Sequence, residues 1–548
     1  MPVHQPNNYS QQKANMIKGA RYKIFRVLIL GITTSFFGIG GCANEDAPVV
    51  NIPFERLLVD QKFESTILHQ SIDYAVLLPE GYNESDERYP VVYLLHGYGD
   101  DERAWYMNGG LLTYVDLYKE EIVPMIYVMP QGFNRYYIDK YNGNYPYMEM
   151  FVDEFIPAID ERFRTKADKS QRAVMGYSMG GYGALILPAM NPDVFTISIP
   201  LSMSFRTDAQ YVAESQGSFD NQWAPNFGPH SGASGTARLS DYFKERSPFH
   251  FFDQENLTAY EGLKILIDCG DDEESLSFTN DNLHTLMRTK EIPHEYRVRN
   301  GGHSFDYWKK SYREALLFIS NSVQGIPHPS EPEPANIGTP VTTSDFEQME
   351  VSGISLNILK PADYETATAE YPVVYFIHDV AESDRTEKII DVFSLLRNAV
   401  TAAKLRKSIV VEIPSSASID RDQIEEIIGQ VDAGYRTKES NTSRVIMGNS
   451  VGGSQAANLV SESPDLFGSC FLICANLDEE TDVVADVFYY LDVTDDFNSY
   501  QAYNNLYTRI RNNDFEYEYR VRQGGESYQS FLNGLAEALS SLKESLSQ

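Results

Sequence analysis

Gly176-Tyr177-Ser178-Met179-Gly180 sets a serine between two glycines, directly after an apolar run and before the helix-compatible stretch Tyr182 to Met190. A serine at a sharp strand-to-helix turn has its hydroxyl held out for attack on a carbonyl carbon, and the crowded turn admits only small neighbours. That hydroxyl is scarcely nucleophilic at neutral pH, so a base must take its proton during attack and return it to the leaving group. Among the ten histidines of the chain, His303 is the candidate base, because it lies C-terminal to the serine in a Gly-Gly-His turn. A carboxylate must then fix the imidazole tautomer and stabilise the imidazolium. The run Asp268-Cys-Gly-Asp-Asp-Glu-Glu274 follows apolar Ile265 to Ile267 and offers Asp271, Asp272 and Glu273 at a strand end; Asp272 is selected, with Glu273 as its rival. His96-Gly97-Tyr98-Gly99 ends another apolar run, where backbone N–H groups can approach a developing oxyanion. His96 is read as structural, and the main-chain N–H groups of Tyr98 and Met179 as the oxyanion donors.

These residues need a scaffold that presents strand ends side by side. Val91 to Leu95, Ile122 to Met129 and Leu263 to Ile267 are continuously apolar and bounded by Gly, Pro or charge, as in strands buried on both faces of a parallel sheet. Longer stretches such as Tyr147 to Phe163 carry apolar residues at helical spacing. The alternation predicts an α/β fold with helices on both faces of a mostly parallel sheet.

The pattern is written twice. Tyr89-Pro-Val-Val-Tyr-Leu-Leu-His-Gly97 matches Tyr371-Pro-Val-Val-Tyr-Phe-Ile-His-Asp379, and Arg172-Ala-Val-Met-Gly-Tyr-Ser-Met-Gly-Gly181 matches Arg444-Val-Ile-Met-Gly-Asn-Ser-Val-Gly-Gly453. His294-Glu-Tyr-Arg-Val-Arg-Asn-Gly-Gly-His303 matches Tyr517-Glu-Tyr-Arg-Val-Arg-Gln-Gly-Gly-Glu526. Between the copies, residues 325–340 are proline-rich with little apolar content, which predicts an extended, stiff linker. The expected organisation is a leader at 1–41, a tether at 42–57, a catalytic domain at 58–324, the linker, and a second domain at 341–548. The second copy keeps Ser450 and Asp495-Asp496 but has Glu526 at the histidine position, a far weaker base at neutral pH. Gly97 becomes Asp379, a negative charge where an oxyanion would form. The second copy is therefore expected to be catalytically inactive.

Tyr-Leu-Leu-His-Gly, Tyr127-Val-Met-Pro-Gln-Gly-Phe, Gly-Tyr-Ser-Met-Gly-Gly-Tyr-Gly-Ala and the closing Gly-Gly-His-Ser-Phe-Asp-Tyr-Trp308 together resemble the esterase D and feruloyl esterase superfamily. The resemblance covers roughly residues 60 to 320 and, in degraded form, 341 to 540. It implies two tandem α/β-hydrolase domains and serine carboxylic ester hydrolysis with no metal and no cofactor. In many members the acid lies three places after the glycine matching Gly270, which here is Glu273. The resemblance leaves open the ester cleaved, with feruloyl and acetyl esters of plant or algal polysaccharides as the expectation. Two alternatives stand beside hydrolysis: an acyltransferase with the same triad, and a non-catalytic surface carbohydrate-binding lipoprotein. Phe205 to Gln254, with Trp223, Phe227 and His230, is read as a lid over the acyl pocket whose aromatic residues either stack on a phenolic acid or simply pack.

At the N-terminus, Lys18, Arg21, Lys23 and Arg26 precede the apolar run Val27 to Gly41, too short for a membrane span but suited to a signal-peptide core. Ile39-Gly40-Gly41-Cys42 resembles the bacterial lipobox, which implies lipidation at Cys42 and an extracytoplasmic, membrane-anchored protein. The remaining cysteines, Cys269, Cys470 and Cys474, sit in apolar stretches and read as buried core thiols, not as a disulfide framework or metal cluster. A net charge of −33 argues against nucleic acid as a partner.

Overall fold

The computed structural model describes residues 56–547 apart from 256 and 274; the leader, Cys42 and most of the proposed tether lie outside the described residues. In the first half, strands β1 (Leu57–Ser65), β2 (Gln70–Leu77), β3 (Val91–Leu95) and β4 (Ile126–Pro130) are followed by β5 (Arg172–Tyr177), β6 (Ile197–Leu201), β7 (Lys264–Gly270) and β8 (Glu295–Arg299). The second half repeats the series as β9 (Phe346–Val351), β10 (Ile354–Leu359), β11 (Val373–His378), β12 (Ile409–Pro414), β13 (Arg444–Asn449), β14 (Ser469–Ala475), β15 (Phe488–Thr494) and β16 (Tyr517–Arg522).

All sixteen strands join in one sheet of order β1-β2-β4-β3-β5-β6-β7-β8-β16-β15-β14-β13-β11-β12-β10-β9. Each half has the same internal order: an outer antiparallel hairpin, then strands parallel to one another from β4 to β8 and from β12 to β16. The halves meet through β8 and β16, antiparallel at Val298 and Val521.

The burial pattern shows why these sequences choose strands. In β3, Val91, Tyr93 and Leu95 enter one apolar layer while Val92 and Leu94 enter the opposite one, and all five are fully buried. A continuous apolar run is what a strand covered on both faces requires. Helix α1 (Met179–Met190) lies in the first layer and helix α3 (Phe305–Gln324) in the second; α2 (Ser275–Thr289) runs from the turn after β7 towards β8. Their counterparts are α4 (Ser450–Glu462), α5 (Tyr500–Asn512) and α6 (Tyr528–Glu537). This is the expected α/β-hydrolase architecture, present twice.

Two local differences have simple causes. Residues 122–125 do not join β4, because Pro124 has no N–H to give to a ladder. Tyr147 to Phe163 is helical throughout 147–162, but with a π-type turn over Phe151–Phe155. The proline-rich segment has neither helix nor strand from 326 to 345, and it lies along the second half: Ala335 N–H donates to Asn533 Oδ1 at 2.6 Å and Gly525 N–H to Glu331 Oε1 at 3.1 Å. Cys269, Cys470 and Cys474 are buried free thiols.

Candidate active site

Ser178 follows the last residue of β5 and caps α1 with φ 58° and ψ −120°, a conformation that L-residues rarely hold. Its own N–H donates to Leu201 O at 2.9 Å, and its carbonyl accepts from Ser204 N–H at 3.0 Å. The glycines around it are sterically required. A Cβ on Gly176 would lie 2.1 Å from Gly180 O, and one on Gly180 would lie 2.2 Å from Leu95 O.

The structure brings His303 to this serine across 125 residues of sequence: His303 Nε2 is 2.9 Å from Ser178 Oγ. On its other side, His303 Nδ1 is 2.7 Å from Glu273 Oε2. The Glu273 side chain is fully buried, and its second oxygen accepts from Gly270 N–H at 2.9 Å and from the Ser202 hydroxyl. Ser202 Oγ in turn accepts from Trp308 Nε1–H at 2.7 Å. Both carboxylate oxygens are thus engaged by donors, so the group is held as an acceptor facing the imidazole.

The selection of Asp272 is corrected by this geometry. The tight turn after β7 sends three successive acids three ways. Asp271 turns into the sheet junction, Asp272 is exposed to solvent, and Glu273 folds back under Gly270 N–H towards His303. Strand-end position alone cannot rank acids in such a turn. Ser202 and Trp308 were missed as supports of the acid, since a serine closing an apolar strand carries no distinguishing signal.

Met179 opens α1, so its N–H has no partner within the helix. Tyr98 adjoins Gly97, where a Cβ would stand 3.4 Å from Ser178 Cβ and 2.7 Å from the Tyr177 ring. Both expected oxyanion donors therefore lie in segments that meet the serine. His96 is fully buried; its Nδ1 lies 2.8 Å from Gly97 O, its Nε2 accepts from Gly132 N–H at 2.8 Å, and burial lowers its pKa. It holds the oxyanion segment in place as a neutral ring.

The lid aromatics pack. Trp223 and Phe227 are fully buried, with Trp223 centroids 5.2 Å from Tyr136 and 5.7 Å from Tyr211. They form an aromatic core within the segment expected as a lid and are closed to a ligand. His230 is exposed, its Nδ1 lying 2.9 Å from Ser231 O. Tyr98, by contrast, is 43% exposed.

In the second half, Ser450 has φ 45°, and its hydroxyl accepts from Asn476 Nδ2 at 3.1 Å. Alignment of Asp268-Cys-Gly-Asp-Asp-Glu with Asp492-Val-Thr-Asp-Asp-Phe puts Phe497 at the Glu273 position, so neither imidazole nor acid is present. Glu526, at the His303 position, accepts instead from Asn498 Nδ2 at 2.7 Å. Val451 N–H, the counterpart of Met179 N–H, donates at 3.4 Å to Asp379 Oδ2. A carboxylate occupies the donor that an oxyanion would need.

The family model described as "Putative esterase" matches residues 65–319 and again 351–513. An endo-1,4-beta-xylanase/feruloyl esterase of Xylanibacter ruminicola is 38% identical over 130 residues, which is 22% of this chain and 18% of that protein. An acetyl esterase of Caldicellulosiruptor saccharolyticus is 23% identical over 238 residues, 43% of this chain and 84% of that protein. Among solved structures, a ferulic acid esterase is 25% identical with a TM-score of 0.40, covering 48% of this chain and 97% of its own. The chain spans well under a third of the first curated relatives it matches, 18% and 27% of their lengths. With the family model matching both halves, this chain belongs to the Esterase family.

Proposed function

We propose that the protein hydrolyses carboxylic esters through an acyl-enzyme on Ser178, acting outside the cytoplasm on carbohydrate-linked or aryl esters of the feruloyl or acetyl kind. One observation carries the reading: a continuous hydrogen-bonded line runs from buried Glu273 through His303 to Ser178 at 2.7 and 2.9 Å. Ser178 Oγ attacks the ester carbonyl carbon while His303 Nε2 takes its proton, and Glu273 stabilises the imidazolium. The tetrahedral oxyanion accepts hydrogen bonds from Tyr98 and Met179 N–H, and collapse expels the alcohol with the proton returned by His303. Water, deprotonated by the same imidazole, then releases the acid and restores Ser178.

The substrate class is supported by the activities named for relatives, a xylanase/feruloyl esterase and an acetyl esterase. Tyr98, next to the Gly97 that approaches Ser178, supplies an exposed ring for an aryl group. Extracytoplasmic action rests on the lipobox-like Ile39-Gly40-Gly41-Cys42; incorporation of a labelled fatty acid that is lost in Cys42→Ala tests it. The second half performs no hydrolysis of its own, a reading supported by Phe497, Glu526 and the Asp379 carboxylate on Val451 N–H.

The test is a panel of acetyl, feruloyl and short-chain aryl esters with wild type, Ser178→Ala and Ser450→Ala, with partition to a sugar acceptor measured in parallel. Turnover is expected to vanish only in Ser178→Ala, with water as the dominant acceptor. Equal loss in Ser450→Ala would overturn the assignment of a single working site.

A further inference from the structure

The junction between the halves is built from one clasp used twice. Arg520 Nη1 of the second half lies 2.5 Å from Asp271 Oδ2 of the first, and Arg297 Nη1 of the first lies 2.5 Å from Asp495 Oδ2 of the second. Tyr519 N–H also donates to Asp271 Oδ2 at 3.2 Å, and Tyr296 N–H to Asp495 Oδ2 at 3.2 Å. The other oxygen of each aspartate turns inward. Asp271 Oδ1 accepts from Gly301 N–H at 3.0 Å, and Asp495 Oδ1 from Gly524 N–H at 3.1 Å.

The two clasps differ in what they hold. Asp271 stands two residues before Glu273, and Gly301 two residues before His303. One carboxylate therefore ties the acid-bearing turn to the base-bearing loop. The same loops meet again where Asp272 N–H donates to Gly301 O at 3.2 Å, and so closely that a Cβ on Gly270 would lie 2.0 Å from that oxygen. Tyr517 OH of the second half donates to Asp271 O at 3.3 Å. The mirror clasp at Asp495 holds only Phe497 and Glu526.

We propose that Arg520 is a positioning residue for the Ser178–His303–Glu273 array: the second half, without chemistry of its own, fixes through Asp271 the two loops that carry the acid and the base. This rests on the hydrolytic reading of that array. Asp271 and Arg520 are both nearly fully buried, so neither finds water as a substitute partner. Burial pushes the Asp271 carboxyl up to about 6, and the Arg520 guanidinium is the largest influence opposing that rise. Without it, the carboxyl would take up a proton, and the turn would relax by an amount sufficient to spoil a hydrogen-bonded line; a misplacement of about 1 Å can cost on the order of a hundredfold in rate.

The experiment uses the full chain and an aryl acetate. Arg520→Met is expected to lower kcat at least tenfold with KM changed less than threefold. Arg520→Lys, which restores a cation, should recover part of the loss. Asp271→Asn should lower kcat in the same way, and the double variant Arg520→Met/Asp271→Asn should lose no more than the worse single variant, because both act through one contact. Asp495→Asn makes the equivalent lesion in the mirror clasp; its kcat should stay within twofold of wild type even where its melting temperature falls as far as that of Arg520→Met. Equal kcat losses in Asp495→Asn and Arg520→Met would overturn the proposal and leave the junction as a general stabiliser, as would an unchanged kcat in Arg520→Met. Ser178→Ala is run alongside: residual turnover there would instead indict the hydrolytic reading itself.

Discussion

Replacing Glu273 by Gln should be the most damaging isosteric change in the protein, and the reason lies in the direction of each hydrogen bond. Oε1 accepts from both Gly270 N–H and Ser202 Oγ, whose own lone pair is taken by Trp308 Nε1–H. An amide in this place must keep its oxygen there, which aims its NH2 at His303 Nδ1. That nitrogen carries the proton in the productive tautomer, so donor meets donor. The imidazole escapes by moving its proton to Nε2, where it can no longer accept from Ser178. The lost charge adds to this: the 2.7 Å contact places the charge centres about 4 Å apart, worth about 4 kcal/mol at an effective dielectric near 20. With 40% of the His303 side chain exposed, solvent screening trims that energy, so the expected loss in kcat is about a hundred- to a thousandfold at 1.36 kcal/mol per decade. Asp272→Asn, at a solvated position, should change kcat less than about twofold. Steady-state kinetics on an aryl acetate decide the matter. A larger loss in Asp272→Asn than in Glu273→Gln, or a loss under tenfold in Glu273→Gln, would rule out Glu273 as the acid.

Ser202→Ala removes a donor to Glu273 Oε1 and leaves Trp308 Nε1–H without its acceptor; kcat should fall about tenfold with KM nearly unchanged, as read by the same kinetics. Trp223→Ala empties a fully buried site under the lid and should cost about 3–5 kcal/mol of stability, measured by denaturant unfolding, without direct loss of a ligand contact. Asp281 of α2 is buried at the junction, accepting from Tyr519 OH at 3.2 Å and Asn504 Nδ2 at 2.5 Å, and burial pushes its carboxyl up to about 7. The folded state then holds a proton that the unfolded chain has released, so this group's contribution to stability is greatest at low pH and declines as pH rises from about 4 through about 7. Asp281→Asn should flatten the fall in melting temperature over that window relative to wild type, and parallel profiles would contradict the assignment.

The elements that form the site were legible because each is dictated by a local constraint. A short apolar run bounded by Gly, Pro or charge suits a strand covered on both faces, and the steric demands at Gly176 and Gly180 can be met only by glycine. Ser178 and His303 were readable because their chemistry forces their types and neighbours. The acid was not, since Asp271, Asp272 and Glu273 differ by single steps around a turn whose path is set by Gly301 and by residues of the other half. The role of the aromatics in residues 205–254 stayed open for a similar reason: a cluster of aromatic residues has the same composition whether it faces a ligand or a core, and only the burial of Trp223 and Phe227 separates the two. Nor could the sequence show that the two halves share one sheet, because nothing in β8 or β16 alone says that the strands will pair.

That shared sheet explains which features of the second half persist. Because β8 and β16 pair antiparallel, the parallel block that ends in Ser178 and the one that ends in Ser450 have opposite sense within the one ladder of strands. What the second half does offer the first is the face beside β8, which would otherwise be an unpaired strand edge. The differences between the two copies follow that division. Positions facing the cleft have changed, with Phe497 for Glu273, Glu526 for His303 and Asp379 for Gly97, whereas the residues of the junction clasp have not, with Asp495 matching Asp271, Tyr519 matching Tyr296 and Arg520 matching Arg297. A half kept only for a binding cleft of its own would have no reason to hold those junction residues, and a half kept for chemistry would not have lost the others. Retention for support of the first active site accounts for both.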